Sequence, residues 1–173
     1  MVATRAVSSR GTGRNSQPAQ EAAVAGAGAP TPLIVRLKHR VRFSDVDPMA
    51  VLWHGRYAQL FEQASEELGR ACGMGYADFV RDRLQAPVVQ LHVDYFAPVV
   101  LGEQVTITGK LIWNEAARID TEYQIHKERG PLAAAGYTVQ MFVDATGAPL
   151  MATPAMLENC RKRWRAGEFA DLR

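Results

Sequence analysis

A single run of apolar side chains at helical spacing, set between stretches that alternate, constrains the fold of this 173-residue chain more than any other feature. The run lies between His54 and Gly73, and its apolar positions are mostly three or four residues apart. It predicts an amphipathic helix of about four turns that stops at the glycine. The apolar positions are Tyr57, Leu60, Phe61, Ala64, Leu68 and Ala71.

Five other stretches have the alternation, or the content of β-branched and aromatic residues, that is typical of strands. Short segments at 114–115 and 128–131 separate the last three stretches and predict hairpin turns. Because one long helix cannot cover both faces of a sheet, the outer face must meet solvent or a partner subunit. The five stretches are 33–43, 88–96, 104–113, 118–127 and 132–144.

The first strand and the C-terminal helix carry more specific signals. In the first strand, apolar residues alternate with basic ones, and His39 interrupts the apolar face. Near the C-terminus, Thr153 is expected to be the N-cap of a short helix that starts at Pro154 and runs to about Trp164. The expected buried positions of the first strand are Val35, Leu37, Val41 and Phe43.

Together these elements predict an α+β fold in which a curved antiparallel sheet of about five strands wraps around one long central helix, with a short C-terminal helix added. Residues 33–173 would form this domain. Residues 1–32 are rich in alanine, glycine, serine and proline, and they lack the large apolar side chains that offset ordering entropy. They are expected to form a disordered extension. The alternative is an organelle transit peptide, because such peptides are also rich in arginine and serine.

Charge and composition exclude several classes of function. From residue 33 onward, 17 basic residues balance 17 acidic ones, so a nucleic-acid-binding face is not expected. The two cysteines lack metal-type spacing and indicate a reducing compartment, which makes a cytoplasmic location the expectation. No apolar stretch approaches the ~20 residues needed to cross a bilayer, so no membrane partner is expected.

Two aspartates, Asp45 and Asp47, stand in the loop directly before the predicted helix. A helix N-terminus presents unpaired N–H groups and a partial positive charge, so the amides of His54 and Gly55 could polarise a substrate carbonyl. A carboxylate beside that carbonyl could attack it or activate water, and thioester cleavage requires these two elements. The alternative is structural, since aspartate often caps a helix and Asp-Pro favours a turn.

The segment DVDPMAVLWHGRY at 45–57, followed by FEQA at 61–64, resembles the signature of the 4-hydroxybenzoyl-CoA thioesterase family. It is similar in particular to the acyl-CoA thioesterases of the bacterial Tol–Pal operon. The resemblance implies the hotdog fold over roughly residues 33–150, with the active site between subunits of a homodimer or homotetramer. It also implies hydrolysis of an acyl thioester carried by coenzyme A or by an acyl carrier protein, without a metal or other cofactor.

Carried over by position, the resemblance implies that Asp47 is the catalytic carboxylate, acting as nucleophile or as general base. His54 would offer its backbone N–H to the thioester oxygen, and its side chain would orient substrate or water. Glu62 and Glu66 are the backup acids, because other hotdog thioesterases place their catalytic acid on this helix. Asp45 would serve mainly to fix the loop. The substrate-binding candidates are Trp53, Gly55, Tyr57 and Arg118.

Two departures from the family pattern keep other functions open. Ala50 replaces the usual glycine, so a positive φ is harder to adopt there, and Ser65 replaces a common arginine. In the hairpin where some relatives bind the coenzyme A phosphate, only Arg118 is basic. The carrier of the acyl group could therefore be the phosphopantetheine arm of an acyl carrier protein instead of coenzyme A. One rival function is a hotdog hydratase or dehydratase, whose usual acid–histidine spacing Asp47 and His54 do not match. The other is a non-catalytic subunit that binds acyl carriers.

Overall fold

The computed structural model describes residues 28–144 and 146–172, and most of the predicted N-terminal extension, residues 1–27, lies outside them. The described part contains five strands and three α-helices, as well as 3₁₀ turns at Phe43–Asp45 and Ala170–Leu172. The strands are β1 (Leu33–Arg40), β2 (Val88–Tyr95), β3 (Gln104–Ile112), β4 (Arg118–Lys127) and β5 (Leu132–Met141). The helices are α1 (His54–Cys72), α2 (Tyr76–Asp82) and α3 (Ala155–Arg165).

The five strands form one antiparallel sheet in the order β1-β3-β4-β5-β2. β3, β4 and β5 are successive hairpin partners across the two predicted turns, and Tyr123 of β4 lies opposite Gly136 of β5. β2 lies at the far edge, where Val93 also pairs with Gly136, because the chain crosses the sheet between β1 and β2. The predicted α+β fold with a five-stranded antiparallel sheet is confirmed.

Helix α1 lies on one face of the sheet and contacts β1, β2 and β3. Its buried face is the predicted stripe with one change: Ala71 is exposed, and Cys72 is buried instead because it lies one turn after Leu68. The helix has 19 residues, about five turns, and Gly73 ends it in the left-handed conformation with a φ of 76°. The glycine stop is therefore confirmed.

The first strand is shorter than predicted, and the prediction that Phe43 is a core residue is wrong. β1 ends at Arg40, and the chain then leaves the sheet through a 3₁₀ turn in which the Asp45 amide donates to the Arg42 carbonyl at 3.0 Å. The Phe43 side chain is consequently 84% exposed. His39, which interrupts the apolar face, is half-buried against Asp45.

Helix α3 begins one residue later than predicted. Pro154 rather than Thr153 is its N-cap, and the Thr153 hydroxyl accepts a hydrogen bond from the Arg161 guanidinium at 3.4 Å instead. The Trp164 indole N–H donates to the Thr31 carbonyl at 2.9 Å and joins α3 to the chain before β1. Helix α2 was not predicted, because it has only seven residues and none of them is buried.

Candidate active site

The loop before α1 is folded around the Asp47 carboxylate. Its Oδ1 accepts hydrogen bonds from the Met49 amide at 2.9 Å and from the Val51 amide at 3.2 Å. The Asp47 amide donates in turn to the Val51 carbonyl at 2.9 Å. Among the described residues, no group donates a hydrogen bond to the second oxygen, Oδ2. Asp47 therefore uses one oxygen to hold the loop and leaves the other available at a partly exposed position.

Ala50 adopts the backbone conformation that the usual glycine would favour, with a φ of 59°. Its amide donates to the Asp47 carbonyl at 2.9 Å, and its carbonyl accepts from the Leu101 amide at 3.0 Å. A residue with a Cβ costs about 1–2 kcal/mol in this left-handed region. The departure from the family pattern thus adds local strain to the loop.

The buried Asp45 carboxylate joins the end of β1 to the first turn of α1. Its Oδ2 accepts from His39 Nε2 at 3.0 Å and from the Arg42 amide at 2.8 Å, and the Arg56 guanidinium lies 3.7 Å from Oδ1. Arg56 also donates to the Ser44 carbonyl at 2.7 Å. Burial alone would raise the pKa of Asp45, but these hydrogen bonds and nearby positive charges hold that pKa below its usual value.

Replacing Asp45 with asparagine is expected to lower the free energy of unfolding at pH 7 by about 1–3 kcal/mol. Because the folded-state pKa of Asp45 is lowered, ionisation stabilises the fold above the unfolded-state pKa of about 4. This stabilisation is lost as the pH falls below that value. Urea unfolding of both proteins at successive pH values from 7 to 3 measures the difference. A difference that stays constant or grows in acid would contradict this role.

Helix α1 begins at His54, with Trp53 as its N-cap. The Arg56 amide donates to the Trp53 carbonyl at 2.8 Å, and the Trp53 amide donates to the Asp45 carbonyl at 2.9 Å. In the described part of the chain, the amides of His54 and Gly55 have no backbone partner and remain available to an acceptor. The Trp53 ring covers Gly55, since a Cβ there would lie 2.4 Å from an indole carbon.

A cavity of about 300 Å³ opens beside the start of α1, with walls from 51–52, from the first turn of the helix and from 95–98. Tyr57 is buried in one wall and meets Tyr95 edge to face, with ring centroids 4.8 Å apart. The Tyr95 hydroxyl donates to the His54 carbonyl at 3.4 Å. Burial and the neighbouring Tyr95 raise the pKa of Tyr57, so its hydroxyl stays protonated at neutral pH.

The two helix glutamates lie at a different cavity. Glu62 and Glu66 line a space of about 420 Å³ that also contacts Ser65 and residues of α2, β3, β4 and β5. This cavity shares no lining residue with the one at the start of α1. Both glutamate side chains are exposed. The structure therefore separates the backup acids from the Asp47 loop.

Arg118 is also remote from the Asp47 loop of its own chain. It begins β4, and its guanidinium lies 3.0 Å from the Asp120 carboxylate. Asp120 pairs with Ile112 at one end of β3, whereas the Asp47 loop adjoins the chain just before Gln104, at the other end. Eight residues of strand separate these two ends by roughly 27 Å. Arg118 is not brought together with the other candidates.

Sequence reasoning missed three residues that support the start of α1. His39 and Arg56 hold Asp45, and Tyr95 contacts both Tyr57 and the His54 carbonyl. His39 did carry a signal, because it interrupts the apolar face of β1. Arg56 and Tyr95 carried none, since their roles depend on contacts that only the folded chain creates.

The start of α1 offers an available carboxylate oxygen, two unpaired amides and an adjoining cavity within one short part of the chain. Such amides can stabilise an oxyanion, and such a carboxylate can activate water. Across residues 28–144 and 146–172, no three His, Cys, Asp or Glu side chains are grouped as a metal ion would require. None of the helices in those residues is long and apolar enough to cross a membrane.

The family model of the thioesterase-like superfamily matches residues 41–160 of this chain. A 1,4-dihydroxy-2-naphthoyl-CoA hydrolase from Rippkaea orientalis is 26% identical over 86 residues, which cover 49% of this chain and 62% of that protein. The chain spans between about half and three quarters of the length of the curated relatives that it matches.

Solved structures share the fold. The DHNA-CoA thioesterase from Staphylococcus aureus superposes with a TM-score of 0.69 at 24% identity, over 80% of this chain and 95% of that one. A 1,4-dihydroxy-2-naphthoyl-CoA thioesterase from Synechocystis gives a TM-score of 0.66 at 17% identity, over 75% and 96% of the two chains. These likenesses concern the fold, and they confirm the predicted hotdog architecture.

Proposed function

The chain belongs to the thioesterase-like superfamily, and on that premise we propose that residues 33–173 hydrolyse an acyl thioester to a free acid and a thiol. One observation carries the proposal: in the described part of the chain, the loop that resembles the family signature leaves one Asp47 oxygen without a donor and leads into α1, whose first amides, those of His54 and Gly55, have no backbone partner. The finer relationship, to the 4-hydroxybenzoyl-CoA and Tol–Pal thioesterases, is proposed from the same loop.

In the proposed reaction, the acyl carbonyl oxygen accepts hydrogen bonds from the amides of His54 and Gly55. Asp47 Oδ2 takes a proton from water as the water attacks the carbonyl carbon, or attacks that carbon itself to give an anhydride that water then hydrolyses. The amides and the helix dipole stabilise the tetrahedral oxyanion. The carbon–sulfur bond then breaks, and the thiolate leaves with little need for protonation because a thiol is already fairly acidic.

The proposed acyl site lies in the cavity beside Tyr57 and Tyr95, and the half-exposed Trp53 directly precedes His54 of its wall. We propose a homodimer or homotetramer, because β2 presents an exposed apolar edge that a second subunit would cover. In that assembly Arg118 is too far from the Asp47 loop of its own chain to contact a substrate bound there. It could contact only a substrate bound at another site. The exposed apolar residues of this edge are Val88, Val89, Leu91, Tyr95 and Phe96.

Three alternatives differ in their chemistry. A hydratase or dehydratase would add or remove water on the acyl chain and leave the thioester intact, and the Asp47–His54 spacing does not favour it. A non-catalytic subunit would bind the carrier without turnover. A thioesterase whose acid is Glu62 or Glu66 would work from the larger cavity along α1. Thiol release distinguishes the first two from the proposed reaction, and substitution of the candidate acids distinguishes the third.

Release of free thiol, followed with a chromogenic thiol reagent, tests the proposal. Benzoyl, dihydroxynaphthoyl, octanoyl and 2-octenoyl groups should each be presented on coenzyme A and on pantetheine. We expect at least one of them to yield equal amounts of thiol and free acid, several orders of magnitude faster than without the protein. Consumption of an unsaturated acyl thioester without thiol would instead identify a hydratase, and binding without turnover would identify a non-catalytic subunit.

A further inference from the structure

Four basic side chains follow one another along the free edge of the sheet and are called here the basic row. Arg36, Lys38 and Arg40 are alternate residues of β1, so they project from the face opposite the core. Arg42 continues the row beyond the end of the strand, and all four residues are exposed. At the rise of a strand, the row is about 20 Å long.

The surroundings do not neutralise the basic row. In the described part of the chain, only Lys38 has an acidic partner, Glu128 at 3.8 Å, and both side chains are largely exposed. The 32 residues before β1 contain three arginines and one glutamate, so they cannot supply the missing negative charge. The residues of β3 that pair with the three strand members of the row are all uncharged. They are Thr108, Thr106 and Gln104.

The basic row ends at the proposed catalytic loop. The Arg42 amide donates to Asp45 Oδ2 at 2.8 Å, and Asp47 follows two residues after Asp45. Phe43, which is 84% exposed, lies between the last cation and this loop. A molecule held along the row would therefore stand next to the place where the acyl group must arrive.

The shape of the basic row fits a protein better than a nucleotide. Small ligands bind in concave sites, whereas neither of the two cavities along α1 is lined by a member of the row. Successive cations are about 7 Å apart, close to the roughly 6 Å between carboxylates one turn apart on a helix. Arg118, the one basic residue of segment 114–118, is already paired with Asp120.

We propose that the basic row docks an acidic acyl carrier protein, which delivers the acyl group on its phosphopantetheine arm to the Asp47 loop. The inference rests on the proposed thioesterase function and names the form in which the substrate arrives. Attraction between a row of cations and an acidic helix acts mainly on the rate of encounter, and added salt weakens it. The pantetheine thioester alone lacks the acidic protein and does not benefit.

The test is the ratio of kcat/KM for the acyl group on a bacterial acyl carrier protein to kcat/KM for the same group on pantetheine. The double variant Arg36→Glu/Arg40→Glu reverses two unpaired charges of the row. We expect it to lower the ratio at least 10-fold, and we expect salt to lower the ratio of the parent protein. The matched control, Arg83→Glu/Lys162→Glu, reverses two exposed charges away from the row and should leave the ratio unchanged.

An unchanged ratio in the row variant, or a parent ratio that salt does not alter, would overturn the docking proposal. So would a change of oligomeric state in sedimentation, because the row would then contact a second copy. Charged edge residues also protect against edge-to-edge pairing, and the reversal keeps that protection. If the glutamate variant nevertheless aggregates, Arg36→Gln/Arg40→Gln replaces it. This neutral variant should lower the ratio about 3-fold, because it removes the attraction to the carrier protein without adding repulsion. Absence of thiol release by the parent from the acyl group on all three carriers, namely the carrier protein, coenzyme A and pantetheine, would instead refute the thioesterase function itself.

Discussion

Replacing Asp47 with asparagine is expected to lower kcat for thioester hydrolysis by about 10²–10⁴-fold, the range for loss of a catalytic acid–base group. The amide oxygen of asparagine can still accept from the Met49 and Val51 amides, so the loop should keep its conformation. The available Oδ2, in contrast, becomes an NH₂ group that neither attacks a carbonyl nor takes a proton from water. Thiol release measures kcat, and urea unfolding in parallel verifies that stability changes little.

Matched substitutions on α1 distinguish this site from the helix glutamates. Glu62→Gln and Glu66→Gln remove the same charge from the larger cavity, and each is expected to change kcat by less than about 3-fold, since neither residue would exchange protons with substrate. If Asp47→Asn stays fully active while one of these two variants loses activity, the catalytic acid lies on the helix. Both results together would refute the assignment of Asp47 without refuting the thioesterase function.

The parts of the fold that could be predicted are those in which the side chains repeat. The period of α1 placed its buried stripe and its stop at Gly73, because each position depends only on neighbours three or four residues away. The assignment of Asp47 and His54 to one site rests on the short loop between them, and it stays a prediction. The strands and both hairpins followed from alternation and from turn residues.

The parts that could not be predicted depend on contacts between distant segments. The hydrogen bond from Tyr95 to the His54 carbonyl joins residues 41 positions apart, and no local pattern contains it. The distance of Arg118 from the loop follows from strand register, which becomes visible only when β3 and β4 are paired. Phe43 continues the alternation of β1 but not the strand, because the Asp45 carboxylate turns the chain away first.

Replacing Phe61 with alanine is expected to lower the free energy of unfolding by about 3–5 kcal/mol, a large share of the 5–15 kcal/mol typical of a domain. Phe61 is 1% exposed and stacks on Tyr123, with ring centroids 4.4 Å apart. Tyr123 is itself held by a buried hydrogen bond to Thr138 at 2.9 Å. The ring also fills the space above Gly136, where a Cβ would lie 2.7 Å from it.

Urea unfolding of the Phe61→Ala protein measures this loss, with Gln63→Ala as the matched control on the exposed face of the same helix. The control should change stability by no more than about 0.5 kcal/mol, as is usual for surface positions. Phe61→Leu should fall between the two, because leucine keeps part of the buried apolar volume. A loss below about 1 kcal/mol for Phe61→Ala would mean that α1 is not anchored to the sheet at this position. The helix that carries the proposed oxyanion-binding amides would then have to be held chiefly at its ends, through Asp45 and Gly73.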